Sequence, residues 1–189
     1  MAVEKNYKEF VMALSVSGEN KTFLNSDEDH ALEVLVRIFQ TAQKEVRIFA
    51  GCLCHHVGNK QEYIIALSEF LERGGSLKIL LNKYDKEIAK SSGLYKRLAY
   101  YKEKDFPIVV KETQAHPFFT SDPDKKEIHF TVADEKSYRI ETDIEKRTAE
   151  CNFNNPNLAK GITTFFDGLF SREDAKEIDL IKLFEDGDK

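Results

Sequence analysis

The sequence predicts a single α/β domain with a mixed central sheet flanked by helices. Apolar residues at the two-residue period of a strand alternate along the chain with apolar residues at the helical period. The strand–helix–strand unit from Val46 to Leu81 is typical of a crossover between two parallel strands. Farther along, a strand that begins at Ile128 turns and returns as a second strand that ends at Glu141. Parallel and returning strands in one domain together predict a mixed sheet.

Length and composition indicate an ordinary globular protein. The chain has 189 residues, of which 41% are hydrophobic and 32% charged, enough to bury one core. A net charge of -5 argues against broad electrostatic binding to nucleic acid or to an anionic membrane, although a local basic groove is compatible with it. No apolar run approaches the roughly 20 residues of a membrane helix, and the start lacks a secretory pattern. With three cysteines in no framework spacing, we expect a cytoplasmic protein that does not enter a membrane.

The N-terminal part predicts two helices. Apolar residues recur at helical spacing over residues 4–14, so residues 1–24 are interpreted as an N-terminal helix with a connector. Ser26 and Asp27 then resemble a helix start, and the helix behind them should end near Gln43. The main domain is predicted over residues 25–184, and residues 185–189 form a polar tail.

The rest of the chain alternates between strands and helices. The predicted strands are Val46–Ala50, Leu77–Leu81, Pro107–Lys111, Ile128–Val132, Ser137–Glu141 and Arg147–Phe153. One predicted helix begins at Lys60 and ends at Gly74-Gly75, a second covers Glu87–Tyr101, a third begins at Pro156 and a fourth covers Glu173–Phe184. The helix from Pro156 is predicted to bury Leu158, Ile162, Phe165, Phe166, Leu169 and Phe170. Two prolines, with Asp and Ser, predict a loop over residues 114–126.

The strand near residue 128 carries the main candidate site. At the two-residue period Ile128 points to a core face, and Glu127 and His129 point to the opposite face. A second strand places Glu150 and Asn152 at the same spacing. If the two strands are neighbours, these four side chains can converge on one patch. The simpler alternative is a solvated polar face of an edge strand.

Two cysteine-containing segments are weaker candidates. Cys52, Cys54, His55 and His56 follow the first strand, where sites collect in parallel sheets. Such a group can bind zinc, but ligands in so short a run cannot easily close a four-ligand site. We therefore expect no metal, and the role of this cluster stays open. Cys151 is predicted on the core side of its strand, which disfavours a Cys–His nucleophile pair.

From about Asn25 to Ser171, the order of helices and strands resembles the phospholipase D-like superfamily, whose members share an α/β sandwich. The signature of that family is His-x-Lys-x-x-x-x-Asp, followed by a Gly-Ser-x-Asn-like segment. The resemblance implies a site in which the His attacks phosphorus, the Lys and Asn hold phosphate oxygens, two such motifs meet, and no metal or other cofactor is needed.

The signature is degenerate in this chain. With Asp134 as the motif Asp, Glu127 takes the position of the histidine and His129 that of the lysine. Asn152 matches the Asn, and Glu150 stands at the Ser position. A carboxylate at the nucleophile position would repel a phosphodiester, because such a site should be electropositive.

A second alignment is no better than the first. With His129 as the motif His, Thr131 falls at the lysine position and Lys136 at that of the Asp.

These observations favour a phospholipase D-like domain that acts as a non-catalytic binding or regulatory module. By the resemblance, a chain with one motif implies a homodimer, with a possible protein partner in a bacterial multi-component system and a nucleic acid or phosphodiester as possible ligand. The alternative is a divergent metal-independent phosphodiesterase or nuclease that uses His129, helped by Glu150 and Asn152. A third hypothesis is an unrelated α/β hydrolase or a metal enzyme in which Glu127, His129 and Glu150 are ligands.

Overall fold

The computed structural model describes residues 2–53 and 56–185, and one mixed sheet organises them. The strands are β1 (Phe23–Asn25), β2 (Glu45–Ala50), β3 (Ser76–Leu81), β4 (Ile108–Glu112), β5 (Phe130–Ala133), β6 (Ser137–Asp143), β7 (Thr148–Asn152) and β8 (Lys176–Glu177). The α-helices are α1 (Ala2–Ser17), α2 (Glu28–Thr41), α3 (Gln61–Glu72), α4 (Lys86–Ser91), α5 (Gly93–Lys102), α6 (Pro156–Phe170) and α7 (Lys182–Glu185). A short 3₁₀ helix covers His56–Asn59.

The sheet combines a parallel half with an antiparallel half, in the strand order β1-β7-β6-β5-β2-β3-β4-β8. β2, β3 and β4 are parallel, as the crossover pattern predicts. β5 joins them by pairing antiparallel to β2, so that Phe130 lies opposite Phe49. The start of β5 therefore lies at the carboxyl ends of the parallel strands. The predicted mixed sheet flanked by helices is confirmed.

Helices cover both faces of the sheet. α1, α2, α3 and α5 contribute to the core on one face, and α6 packs on β2, β5 and β6 on the other. His129 is consequently only 8% exposed, and Thr131 beside it is also buried. The alternative of a solvated polar strand face is wrong, because α2 contacts the same side of β5 and β6.

The predicted helix over Glu87–Tyr101 is two helices, α4 and α5, separated at Ser92. The side chain of Asn59 accepts a hydrogen bond from the backbone N–H of Gly93 at 2.9 Å, which caps the first turn of α5. The capping group comes from the end of the 3₁₀ helix, far away in sequence. The break between α4 and α5 therefore leaves no signal in the local apolar period.

The predicted C-terminal helix over Glu173–Phe184 is also wrong over most of its length. Lys176–Glu177 is a short strand paired with β4, and only Lys182–Glu185 is helical. The carboxylate of Asp174 accepts hydrogen bonds from the Thr113 hydroxyl at 2.8 Å and from the Gln114 backbone at 2.9 Å. These contacts fix the segment in an extended path along the sheet edge.

Only part of the apolar face predicted for α6 is buried. Ile162 and Phe166 lie in the core, whereas Leu158 and Phe165 are exposed at 41% and 46%. A single helix covers this face of the sheet, so one side of α6 has no neighbouring element to pack against among the residues that the structure describes.

The N-terminal segment joins the sheet through β1, which the sequence did not predict. Phe23 pairs opposite Cys151 of β7 and stacks on Phe153 with ring centroids 5.4 Å apart. β1 is three residues long, too short for a two-residue period to be recognised. β1 therefore crosses the predicted boundary between the N-terminal segment, residues 1–24, and the main domain, which begins at residue 25.

Candidate functional site

Asp134 is a structural residue. It lies in the β5–β6 turn with φ 54°, and its carboxylate accepts hydrogen bonds from the backbone N–H groups of Gln43, Lys44 and Glu45 at 2.6, 2.9 and 2.9 Å. These bonds tie the turn to the start of β2. They lie at the opposite end of β5 from His129, because β5 runs antiparallel to β2.

The candidate site lies at the carboxyl ends of the parallel strands, where ligands bind in open α/β sheets. Asn82 and Lys83 follow β3, and His116 lies in the loop after β4. Glu127 and His129 precede β5 and reach the same edge because β5 runs antiparallel to β2. Three separate segments of the backbone therefore supply one cluster of polar side chains.

The Glu127 carboxylate is the centre of this cluster. Oε1 lies 3.2 Å from Lys83 Nζ and 3.1 Å from His129 Nε2, and Oε2 accepts a hydrogen bond from Asn82 Nδ2 at 3.0 Å. His116 Nδ1 makes a short hydrogen bond to Oε2. Burial alone would raise the pKa of Glu127, but the bonds from His116 and Lys83 outweigh it and hold the pKa below its ordinary value.

His129 lies between two carboxylates. Its Nε2 faces Glu127 at 3.1 Å, and its Nδ1 lies 3.3 Å from Glu141 Oε2. Both ring nitrogens therefore face carboxylate oxygens of the protein. In this arrangement neither nitrogen is directed at a position where the phosphorus of a ligand could lie.

Glu141 anchors the buried side of the site. Its Oε1 lies 3.1 Å from Arg139 and 3.4 Å from Arg147, and its Oε2 faces His129. Burial raises the pKa of Glu141, but the His129 hydrogen bond and the two guanidinium charges outweigh it and hold the pKa below its ordinary value. Arg139 in turn donates from Nε to Asn25 Oδ1 of β1 at 2.8 Å.

A cavity of about 310 Å³ opens beside His129. Its polar wall contains the cations Lys83, Arg139 and Arg147 and the single carboxylate Glu141, together with His129. Leu35, Ile48 and Val57 are among the residues of its apolar wall. The excess of positive charge makes this cavity suited to an anionic group, although the whole chain is acidic.

The structure brings together only two of the four predicted site residues. Arg139 pairs opposite Cys151, so that Ile140 pairs opposite Glu150 and the Glu150 side chain points to the α6 face of the sheet. Glu150 accepts a hydrogen bond from the Tyr138 hydroxyl at 2.8 Å. The prediction that Glu150 joins Glu127 and His129 is wrong, as is a metal site built from these three side chains.

Asn152 is also remote from the cluster. Its Nδ2 donates to Asn20 at 2.9 Å and lies 3.3 Å from the Thr22 hydroxyl. These contacts hold the connector that leads into β1. The expected convergence fails for Asn152 for the same reason as for Glu150: both point away from the face that His129 occupies.

Sequence reasoning missed most of the partners, namely Asn82, Lys83, His116, Arg139, Glu141 and Arg147. The position of Asn82-Lys83 directly after a parallel strand was a usable signal. Arg139 and Glu141 alternate with Ile140 on β6, which was a second signal.

The described residues of the two cysteine-containing segments lie in different surroundings. Cys151 is buried, as predicted, and burial raises the pKa of its thiol to about 12. Cys52 lines the cavity, and His56 Nδ1 lies 3.0 Å from Glu28 Oε2. Cys54 and His55 lie outside the described residues. Over residues 2–53 and 56–185 no group of three or more His, Cys, Asp or Glu side chains is arranged to hold a metal ion.

The mixed sheet and its flanking helices have the fold of phospholipase D family members, as the comparison with solved structures shows. Similar structures include Nuc, a phospholipase D family member from Salmonella typhimurium, with a TM-score of 0.55, 12% identity and coverage of 84% of this chain and 99% of that one. NucT from Helicobacter pylori gives a TM-score of 0.53, 14% identity and coverage of 85% and 100%.

Another similar structure is TrmBL2, an archaeal chromatin protein described with a novel mode of DNA binding. It gives a TM-score of 0.61 at 16% identity, over 94% of this chain but only 63% of the TrmBL2 chain. No family model and no curated protein matches the sequence. At these low identities the structural similarity establishes the fold of the chain, and its activity has to be argued from the site.

Among the described residues, no helix is both long and apolar enough to cross a membrane.

Proposed function

We propose that this protein is a phospholipase D-like binding module that holds an anionic ligand, such as a phosphodiester or a nucleic acid strand, without cleaving it. The observation that carries the proposal is the position of His129 between Glu127 and Glu141. A nucleophilic imidazole must present an unprotonated nitrogen to the reacting atom. Here each ring nitrogen faces a carboxylate instead.

Charge in the cavity supports binding. Lys83 and Arg147 line the cavity, and the Lys83 side chain is 61% exposed, so it can reach an entering anion. Arg139 is buried at the base of the same wall. Charge-assisted hydrogen bonds from such groups are the usual means of holding phosphate oxygens.

The test is an assay of cleavage and binding on the same protein. We expect no hydrolysis of bis(p-nitrophenyl) phosphate or single-stranded DNA above the buffer rate, with or without chelator. By calorimetry, Arg147→Ala should weaken binding of bis(p-nitrophenyl) phosphate by at least about tenfold, because it removes a charge-assisted hydrogen bond of roughly 1.5–3 kcal/mol. Lys160→Ala, which removes the same charge from α6 on the other face of the sheet, should leave the affinity unchanged.

Metal-independent cleavage that disappears in His129→Ala would overturn the proposal. It would establish instead the alternative of a divergent phosphodiesterase that uses His129. Cleavage that requires a divalent cation would favour a metal enzyme. Equal affinities for the wild type and Arg147→Ala would also count against binding in this cavity.

The proposal extends to a cytoplasmic homodimer that works with a protein partner, as the family resemblance implies. We expect light scattering at micromolar concentration to give twice the 21.8 kDa mass of the chain. A monomer mass throughout that range would contradict the dimer.

A further inference from the structure

The Glu127 carboxylate occupies a complete set of hydrogen-bond donors. Lys83 and His129 lie 3.2 and 3.1 Å from Oε1, and Asn82 donates to Oε2 at 3.0 Å, with His116 beside it. An ammonium group, an amide N–H and two imidazoles are also donors that suit the oxygens of a phosphoryl group. The side chain therefore fills a position that fits an external oxyanion.

Contacts other than those with Glu127 hold the side chains of Asn82 and His129 and the backbone of Lys83 in place. Asn82 Nδ2 also donates to the Ala115 carbonyl at 3.1 Å, and the backbone N–H of Lys83 donates to the Gly51 carbonyl at 3.1 Å. His129 is held from its other side by Glu141. The arrangement is accordingly expected to persist when the Glu127 carboxylate leaves.

The amide of Asn82 gives a second, independent indication. Its Oδ1 is buried and has no hydrogen-bond partner, while its Nδ2 lies among acceptors. Leaving a buried acceptor unpaired has a free-energy cost of roughly 1–3 kcal/mol. The amide is therefore oriented with its N–H group toward the site although this orientation leaves its oxygen unpaired. Such an orientation is consistent with a site that binds anions.

We propose that Glu127 is an internal occupant of an oxyanion site, which Asn82, Lys83, His116 and His129 form for the phosphoryl group of a ligand. The carboxylate competes with the ligand, so the wild-type protein binds a phosphoryl group weakly until Glu127 is displaced. This inference rests on the proposed binding function, because the site adjoins the same cavity through Lys83 and His129. Beyond that function, it names a phosphoryl group as the ligand and the Glu127 carboxylate as the group that inhibits binding.

Replacement of Glu127 tests the inference, with inorganic phosphate as the probe. We expect Glu127→Ala to bind phosphate at least tenfold more tightly than the wild type by calorimetry at constant ionic strength. Glu145→Ala is the matched control, because Glu145 carries the same charge as Glu127 and lines with it a second, shallower cavity that Lys83 also borders. It should change the affinity much less. Adding Lys83→Ala to Glu127→Ala should reverse most of the gain.

A Glu127→Ala protein that binds phosphate no more tightly than Glu145→Ala would overturn the inference. If Glu127→Ala does not fold, as judged by its thermal unfolding, Glu127→Gln removes the charge at nearly constant shape, and the absence of tighter binding in that variant is equally decisive. The two proposals fail separately. Cleavage by the wild type would refute the non-catalytic function but not the tightening, whereas unchanged phosphate affinity without cleavage would refute only the role of Glu127.

Discussion

Glu141→Ala is expected to lower the free energy of unfolding by about 3–5 kcal/mol, because it leaves the buried guanidinium of Arg139 without its counter-charge. Arg139 and Glu141 are both nearly inaccessible to water and lie 3.1 Å apart. The same change removes the carboxylate that faces His129 Nδ1. Urea denaturation followed by circular dichroism measures the loss. A decrease below about 1 kcal/mol would mean that the pair is not an essential buried contact.

The pH dependence of the free energy of unfolding gives a second test of the contribution of Glu141. Since its pKa is lower in the folded protein, the stabilisation is complete above the unfolded value of about 4.3 and is lost as the pH falls through the folded pKa. We therefore expect the wild type to lose stability in acid below about pH 4.3 more steeply than Glu141→Gln does. Glu145→Ala, at an exposed position, should follow the wild-type curve.

Phe166→Ala is expected to reduce the free energy of unfolding by about 3–5 kcal/mol through loss of burial and creation of a cavity. Phe166 is 0% exposed, stacks on Phe170 with ring centroids 5.3 Å apart and meets Phe130 edge-on at 6.3 Å. Its neighbour Phe165 is 46% exposed. Phe165→Ala, the matched control, should therefore be less destabilising by at least about 1.5 kcal/mol.

Thermal and urea unfolding of the two variants measure this difference. Equal losses would show that Phe165 is buried in solution, for example against a second copy of the chain. A small loss for Phe166→Ala would mean that the core beneath β5 is less densely packed than the structure indicates.

The two phenylalanines show where local patterns stop being informative. The helical period places Phe165 and Phe166 on one broad apolar face, and the sequence predicts that both are buried. Which part of that face is covered depends on how many elements lie against it. Among the residues that the structure describes, α6 is the helix that packs on this side of the sheet, and the edge of its apolar face stays in water.

The same distinction holds for the candidate site. Glu127 and His129 share a face because the side-chain period of an extended chain is two, a property of the backbone that any reader of the sequence can use. Glu150 and Asn152 obey that period within β7, but their face depends on the register across β6. A register is a tertiary property, and a shift of one residue would have reversed the outcome.

Local patterns were enough to predict the α/β class, the parallel crossover and the common face of Glu127 and His129, because the apolar period and the chain direction are local properties. The folded structure was needed to show that Lys83, His116 and Asn82 surround Glu127, because the end of β3, the loop after β4 and the start of β5 meet when the sheet forms. It also decided that Glu141 lies beside His129. The proposal of binding without cleavage rests on these contacts, because the charge and protonation of a group respond to its neighbours in space and not to its neighbours in sequence.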